Sequence, residues 1–314
     1  MLTDEFTDGF GKRCAELREQ AGLERLRALS TGHPKVRIAL LDGPVARDHP
    51  CLEMAHLVEE KHRTFSEPSA GATAHATCLA SMLLGRDERV LGLCPDCTLI
   101  SIAIVDRPFF EGKLCPNAAA RRICEAIVRA VNLEASVIQM SLQFSPELAR
   151  PFREVAEAIR FAAMRNVRTV VAAGNLPTLG VSPVLSAPGC VPVGMAGPDG
   201  RPHPSSALGV ALGTKGLLAP GVDIPSAVPQ CGFTLHAGSS CAASFVTATY
   251  ALVRSLYLDR DNSSIWEAIL MSGARRRGSY SIVPPSLNGD RALDALQHPP
   301  FDSGNNLSFK LRMS

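Results

Sequence analysis

Several things are missing from this 314-residue chain, and each absence narrows what it is. The start, Met1-Leu2-Thr3-Asp4-Glu5-Phe6, is acidic and leads into no apolar core, so it does not read as a secretory signal. No run reaches the roughly 18 apolar residues of a membrane span. Neither sign of charge is in excess: the formal net charge is +2, which gives no reason to expect nucleic acid or an anionic membrane as a partner. The triplet Arg275-Arg276-Arg277 is short and reads as a solvated loop. No stretch rich in Gly, Pro or Ser separates two apolar halves, so one large domain is expected although the length allows two. What is there, 46% hydrophobic and 20% charged residues, is an ordinary globular balance with ample length to bury a core.

Cysteine, by contrast, is plentiful. Ten is a high count without an export signal, and in a reducing cytoplasm these residues are expected as free thiols acting as small buried hydrophobes. Cys51, Cys78, Cys124, Cys190 and Cys241 all have apolar neighbours. Cys94-Pro95-Asp96-Cys97 has the spacing of a redox pair, half a zinc site, or a turn with two incidental thiols. A second close Cys or His pair is missing and Pro-Asp favours a tight turn, so the turn is the preferred reading. No metal or cofactor site is expected.

Hydrophobic periodicity predicts an amphipathic helix over 11–30, then a short buried strand over 36–41 that ends at Asp42-Gly43-Pro44. Further strands are expected at 97–104, 135–142, 167–173 and 190–195, with helices at 75–84, 118–133, 153–165 and 241–257. Ser264 and Glu267 have capping-box spacing before another helix. Residues 197–236 are rich in Gly and Pro with few helix signals, and 298–314 read as a loose tail. Strands alternating with helices imply an α/β fold with a parallel sheet, whose ligands bind beyond the carboxyl ends of the strands.

Four residues stand at such places. Asp42 ends the first strand. His75 begins a helix among small residues. Asn175 follows Val-Val-Ala-Ala-Gly at a strand end. Ser240 lies in Ala237-Gly238-Ser239-Ser240-Cys241 before an apolar helix. Each has an ordinary reading as an Asx turn, a core histidine, a turn asparagine or a helix N-cap. Together they supply an acid, a base, an amide donor and a nucleophile at a helix N-terminus, where unpaired N–H groups favour negative charge.

These blocks resemble the subtilisin family of serine proteases. Ile38-Ala39-Leu40-Leu41-Asp42-Gly43 is similar to its aspartate motif, and His75-Ala76-Thr77-Cys78-Leu79-Ala80-Ser81 to its histidine block. Val170-Val171-Ala172-Ala173-Gly174-Asn175 matches its oxyanion strand, and Gly238-Ser239-Ser240-Cys241-Ala242-Ala243-Ser244 its serine block. Val137-Ile138-Gln139-Met140-Ser141-Leu142 is similar to a substrate-lining strand, and Leu218-Ala219-Pro220-Gly221 to another family stretch. The order Asp, His, Ser along the chain is that of subtilisin itself. Leu41-Asp42-Gly43-Pro44-Val45 with Asp48-His49-Pro50-Cys51, and the helix just before the first strand, resemble the proteases of cyanobactin maturation.

The resemblance implies a three-layer subtilisin-like fold with a mostly parallel central sheet. It implies Asp42, His75 and Ser240 as a triad with Asn175 as oxyanion donor, and Ser141, Leu142, Gln143, Ala173 and Gly174 as substrate-binding residues. Its peptidase domain is expected over 35–297, preceded by a helical extension over 1–34 that is too short for the propeptide of secreted subtilisins. The implied activity is a cytoplasmic serine endopeptidase that processes a ribosomally made precursor peptide and removes its leader, with biosynthetic enzymes as possible partners. Departures from the pattern leave two alternatives: a degenerate protein that only binds a precursor or partner enzyme, and a general degradative protease. Cys78 stands where the family has a second histidine, Ala76 for a glycine, and Ser244 for a proline. Gln143-Phe144 replaces a Gly-Gly and is expected to narrow the substrate pocket.

Overall fold

The central strands are short apolar runs with no polar face, as strands covered on both sides require. The computed structural model describes residues 4–142, 152–177, 182–273 and 282–298. Gln143, Phe144, the Arg275–Arg277 triplet and residues 299–314 of the expected tail lie outside the described residues. The chain runs α1 (Asp4–Gln20), α2 (Glu24–Leu29), β1 (Arg37–Asp42), β2 (His56–Lys61), α3 (Ala70–Leu84), β3 (Thr98–Ala103), α4 (Arg107–Phe110), α5 (Pro116–Asn132) and β4 (Val137–Met140). It continues through α6 (Phe152–Met164), β5 (Arg168–Ala172), α7 (Pro183–Ser186), β6 (Cys190–Ala196), α8 (Val210–Lys215) and β7 (Leu217–Pro220). The hairpin β8 (Ile224–Val228) and β9 (Gly232–His236) then leads into α9 (Ser239–Leu256), α10 (Asn262–Met271) and α11 (Gly289–Gln297).

Seven strands form one parallel sheet in the order β2-β3-β1-β4-β5-β6-β7. Alternate residues of each strand feed opposite faces: Ile38, Leu40, Val137 and Val170 enter one core, and Ala39, Leu41, Ile138 and Val171 the other. The first core is closed by α3 and α9 (Leu83, Phe245, Leu252), the second by α5 and α6 (Ile123, Ile127, Ile159). This is the subtilisin-like three-layer α/β fold that the motifs implied. α9 is buried from Ser239 to Val253, which fits a helix that is apolar all round. After β1 the chain builds outward to β3 and then returns to β4 on the other side of β1. The order therefore reverses beside β1, and the crevice of such a sheet opens at that switch point.

Three expectations need correction. The helix expected over 11–30 is two helices, because Gly22 at φ +60° ends α1 in a Schellman motif, with Leu23 N–H donating to Arg18 O (2.9 Å) and Gly22 N–H to Glu19 O (2.9 Å). α10 starts earlier than the Ser264 box implied: Asp261 is its cap and accepts from Ser264 N–H at 2.9 Å. β2 was not anticipated, since this edge strand is largely exposed and reads His-Leu-Val-Glu-Glu-Lys, the charged composition that protects an edge.

Candidate active site

Asp42 is the last residue of β1 and is buried, 2% exposed. Gly43 N–H donates to its Oδ1 at 2.7 Å. A Cβ on Gly43 would stand 2.4 Å from the Ala72 carbonyl oxygen, so glycine is what lets the end of β1 lie against α3. α3 begins at Ala70, five residues before the start expected at His75, so His75 lies in its second turn, where Nδ1 stands 3.0 Å from both carboxylate oxygens of Asp42. A carboxylate facing Nδ1 holds the hydrogen there and leaves Nε2 as the basic nitrogen. Attraction to Asp42 raises the His75 pKa to about 9, against the opposing effect of burial.

Ser240 is the second residue of α9 and only 7% exposed. The N-cap residue of this helix is Gly238, which has no side chain to cap it, and the Ser240 hydroxyl makes no hydrogen bond among the described residues. The capping role open to Ser240 on sequence grounds is therefore not the one it has. Its backbone N–H is also unpaired among the described residues, at the positive end of an 18-residue helix. Ser239 turns elsewhere: its N–H (2.8 Å) and Oγ (3.0 Å) both donate to Asn175 Oδ1, and its Oγ accepts from Gly174 N–H at 3.1 Å. With its oxygen so occupied, the Asn175 amide has its NH₂ left to donate. Gly238, at φ +157°, leaves room for that nitrogen, which a Cβ would approach to 3.1 Å.

α3 and α9, the helices carrying base and serine, pack against each other, and Cys78 and Cys241 are both buried in the core between them and the sheet. A buried polar chain supports the serine turn from the sheet: Gln139 Nε2 on β4 donates to Ser244 Oγ at 2.8 Å, and Ser244 Oγ donates to Ser240 O at 3.4 Å. Ser244 thus has a defined partner where the family has a proline.

Beside Asp42 and His75 opens a cavity of ≈ 710 Å³, lined also by Phe109, Phe110, Leu114, Ser141 and Leu142. Ser141 and Leu142 both line this cavity, and Ser141 Oγ is buried with no hydrogen-bond partner among the described residues. Ala173 and Gly174 do not line this cavity; they follow the end of β5 and lead into Asn175. The aromatic wall at 109–110 was missed because α4 is a single exposed turn with no periodicity. Phe110 lies on Gly71, where a Cβ would come 2.5 Å from the ring. A buried ion pair, Asp106 to Arg122 at 3.0 Å, anchors that segment. Among the described residues no group of three or more His, Cys, Asp or Glu side chains could hold a metal ion. Cys94 and Cys97 form a turn, with Cys97 N–H donating to Cys94 O at 3.0 Å.

A sheet of this order with an acid–imidazole pair at its switch point defines a class, the subtilisin-like hydrolase fold. The profile of the subtilase family matches residues 33–295, and the chain belongs to that family. Among solved structures, the prenylagaramide maturation protease PagA is 27% identical and superposes with a TM-score of 0.73 over 88% of this chain and 98% of its own. The patellamide maturation protease PatG gives a TM-score of 0.76 over 89% of this chain and 97% of its own, at 22% identity, a likeness of fold alone. Subtilisin amylosacchariticus from Bacillus subtilis subsp. amylosacchariticus is 24% identical over 234 residues, 73% of this chain. The chain spans 58% of that relative's length. No described helix is long and apolar enough to cross a membrane.

Proposed function

We propose that this chain is a serine endopeptidase that cleaves a ribosomally made precursor peptide in the cytoplasm and removes its leader, working beside biosynthetic enzymes. The observation that carries the reading is the two-oxygen contact of Asp42 with His75 Nδ1 at the edge of an apolar cavity. In this mechanism Ser240 Oγ attacks the scissile carbonyl and His75 Nε2 takes its proton, later giving it to the leaving amine. Asp42 holds the ring tautomer and stabilises the imidazolium. The Asn175 amide and the Ser240 N–H donate to the oxyanion of the tetrahedral intermediate. Water then releases the acyl group by the same steps in reverse order.

The substrate class is supported by the likeness to PagA, a maturation protease by name, and by the cavity, whose Phe109, Phe110 and Leu114 suit an apolar residue near the cut bond. A fluorophosphonate probe is expected to label the protein at Ser240, and Ser240→Ala to lose both labelling and cleavage. Labelling that survives the substitution removes Ser240 from the mechanism; a folded wild type that never labels favours a protein that only binds peptide. Digestion of casein beside one precursor peptide separates the narrow reading from a degradative one: rapid, general casein breakdown overturns leader removal.

A further inference from the structure

Gln139 is a polar side chain where its surroundings call for an apolar one. It lies inside β4, 0% exposed, with Leu40 of β1 and Val170 of β5 as its register partners, and both of these belong to the core that α3 and α9 close. An apolar residue there would pack on α9 without losing hydration, whereas a buried amide is tolerated only as far as it is bonded. Gln139 Oε1 has no partner among the described residues, and the amide is held through Nε2, which donates to Ser244 Oγ at 2.8 Å. A hydroxyl that accepts from an amide keeps its own hydrogen to give, and Ser244 gives it to Ser240 O at 3.4 Å. The chain of bonds therefore runs one way, from the sheet to the backbone of the nucleophile's residue.

Stability does not account for this chain. α9 is an 18-residue helix buried as far as Val253, and a hydroxyl that bonds back to the carbonyl four residues earlier bends a helix more than it strengthens it. The same helix shows that back-bond in its plain form: Thr249 Oγ1 donates to Phe245 O at 2.7 Å, and no sheet side chain donates to Thr249 among the described residues. At Ser244 the back-bond is tied to a strand instead.

What the tie fixes is the first turn of α9. Ser239, just before the nucleophile, is bonded to Asn175 (2.8 and 3.0 Å) and Gly174 (3.1 Å) beyond β5, and Ser244, four residues after the nucleophile, is bonded to β4. The turn that bears Ser240 is thus pinned to two neighbouring strands, once on each side of the reacting residue. Ser240 Oγ makes no hydrogen bond of its own among the described residues, so these pins set its direction.

We propose that Gln139 and Ser244 are positioning residues for the nucleophile: their chain of bonds sets the angle at which the first turn of α9 presents Ser240 Oγ and N–H to the scissile carbonyl, at the position where the family has a proline. The inference rests on the peptidase reading and adds to it two residues that touch neither the substrate nor the reacting atoms. A misplacement of about 1 Å in a reacting group costs on the order of 10²-fold in rate. Loosening one of the two pins should therefore slow the chemistry and leave ligand binding as it was.

The test uses the full chain and a fluorophosphonate probe, read as a maximal labelling rate and a half-saturating probe concentration, with a thermal melt for every variant. Gln139→Met keeps the volume and removes the donor. Ser244→Ala removes the hydroxyl and leaves a buried donor unpaired. The double variant replaces both partners by apolar groups. Each is expected to lower the maximal rate by roughly ten- to a hundredfold, with the half-saturating concentration within about twofold of wild type. The double variant should lose no more rate than Ser244→Ala, because the two residues act as one chain.

Stability should move differently. Ser244→Ala should melt lower, and the double variant should recover most of that loss, because nothing is then left buried and unpaired. A rate that stays low while Tm recovers is the mark of positioning. A rate that recovers together with Tm in the double variant overturns the proposal, and so does a full labelling rate in Gln139→Met. Thr249→Val, which removes the untied back-bond, should label at the wild-type rate; a loss equal to that of Ser244→Ala would make the effect one of helix geometry in general and overturn the assignment. A wild type that never labels sinks the peptidase reading and this inference with it, whereas a wild type that labels beside fully reactive variants sinks this inference alone.

Discussion

Two buried carboxylates stand at the ends of neighbouring parallel strands, and they do opposite things. Asp42 ends β1; Asp106 follows β3, which pairs with β1 in register. Both are almost wholly buried and both accept backbone N–H groups, Asp42 from Gly43 and Asp106 from Phe109 and Ser66. They differ in their cations. Arg122, only 5% exposed, also donates from Nη1 to Ile104 O (2.9 Å) and from Nη2 to Thr64 O (3.1 Å), so both ends of its fork are held inside the fold. His75 is 35% exposed on the cavity, and its second ring nitrogen is uncommitted among the described residues. A permanently charged partner buried among fixed acceptors makes the first pair a fastening. A partner that can lose its proton and keeps one edge open makes the second a reactive centre.

The sharpest way to break this comparison is to neutralise each acid in turn. Asp42→Asn is expected to lower kcat by about 10⁴-fold with the melting temperature little changed, because the amide lets the ring adopt the wrong tautomer. A loss of under tenfold with good folding would put Asp42 on the structural side. Asp106→Asn is expected to do the reverse: stability falls by about 3–5 kcal/mol in denaturant titration, because Arg122 is left buried without its counter-charge. Cleavage below the new midpoint should then change far less than in the Asp42 variant; the opposite order would abolish the distinction.

Asn175→Ala is expected to cost about 10²–10³ in kcat, a magnitude set by subtilisin's own oxyanion asparagine. A change confined to KM would contradict the assigned role. Ser239→Ala should act through Asn175 and cost less, as it removes one of the two bonds that aim the amide.

The smallest effect is on pH dependence, where the two pairs have opposite signs. His75 titrates at about 9 in the fold against an ordinary value of about 6.5. Its contribution to stability is fully present below about 6.5 and is lost as pH rises through about 9. Activity needs the neutral ring, so kcat/KM should climb over that same interval, and a profile already flat from pH 6.5 upward would remove Asp42 as the group holding the proton. Burial raises the Asp106 carboxyl, but the backbone N–H groups and Arg122 outweigh it and hold the pKa below the ordinary carboxylate range. Its contribution is present above about 3.9 and is lost only as pH falls through the lowered value.

Much of this was legible in the residues. The apolar runs of β1, β4, β5 and β6, the strand-end positions of Asp42 and Asn175, and the helix start at Ser240 are local features that periodicity and turn chemistry expose. Elements without such signals were invisible: β2 carries charge on an exposed edge, α4 is one turn, and Gly22 breaks a pattern that looked continuous. Pairings over long separations had no local trace either. Asp106 with Arg122, Gln139 with Ser244 across 105 positions, and Ser239 with Asn175 across 64 come from packing alone.

The sequence by itself determined which chemical groups exist, that Asp42 ends a strand and Ser240 stands at a helix start, and that the fold is a parallel α/β sheet. A 3.6- or 2-residue period and a turn residue are properties of a few neighbours in the chain. Only the tertiary structure decided which groups meet. It set His75 Nδ1 3.0 Å from Asp42, turned Ser239 toward Asn175, and brought Gln139 of the sheet to Ser244 behind the serine turn. The reason is physical: the reach of a hydrogen bond is a few ångströms, and which distant residues fall within it depends on how the helices on either face of the sheet pack.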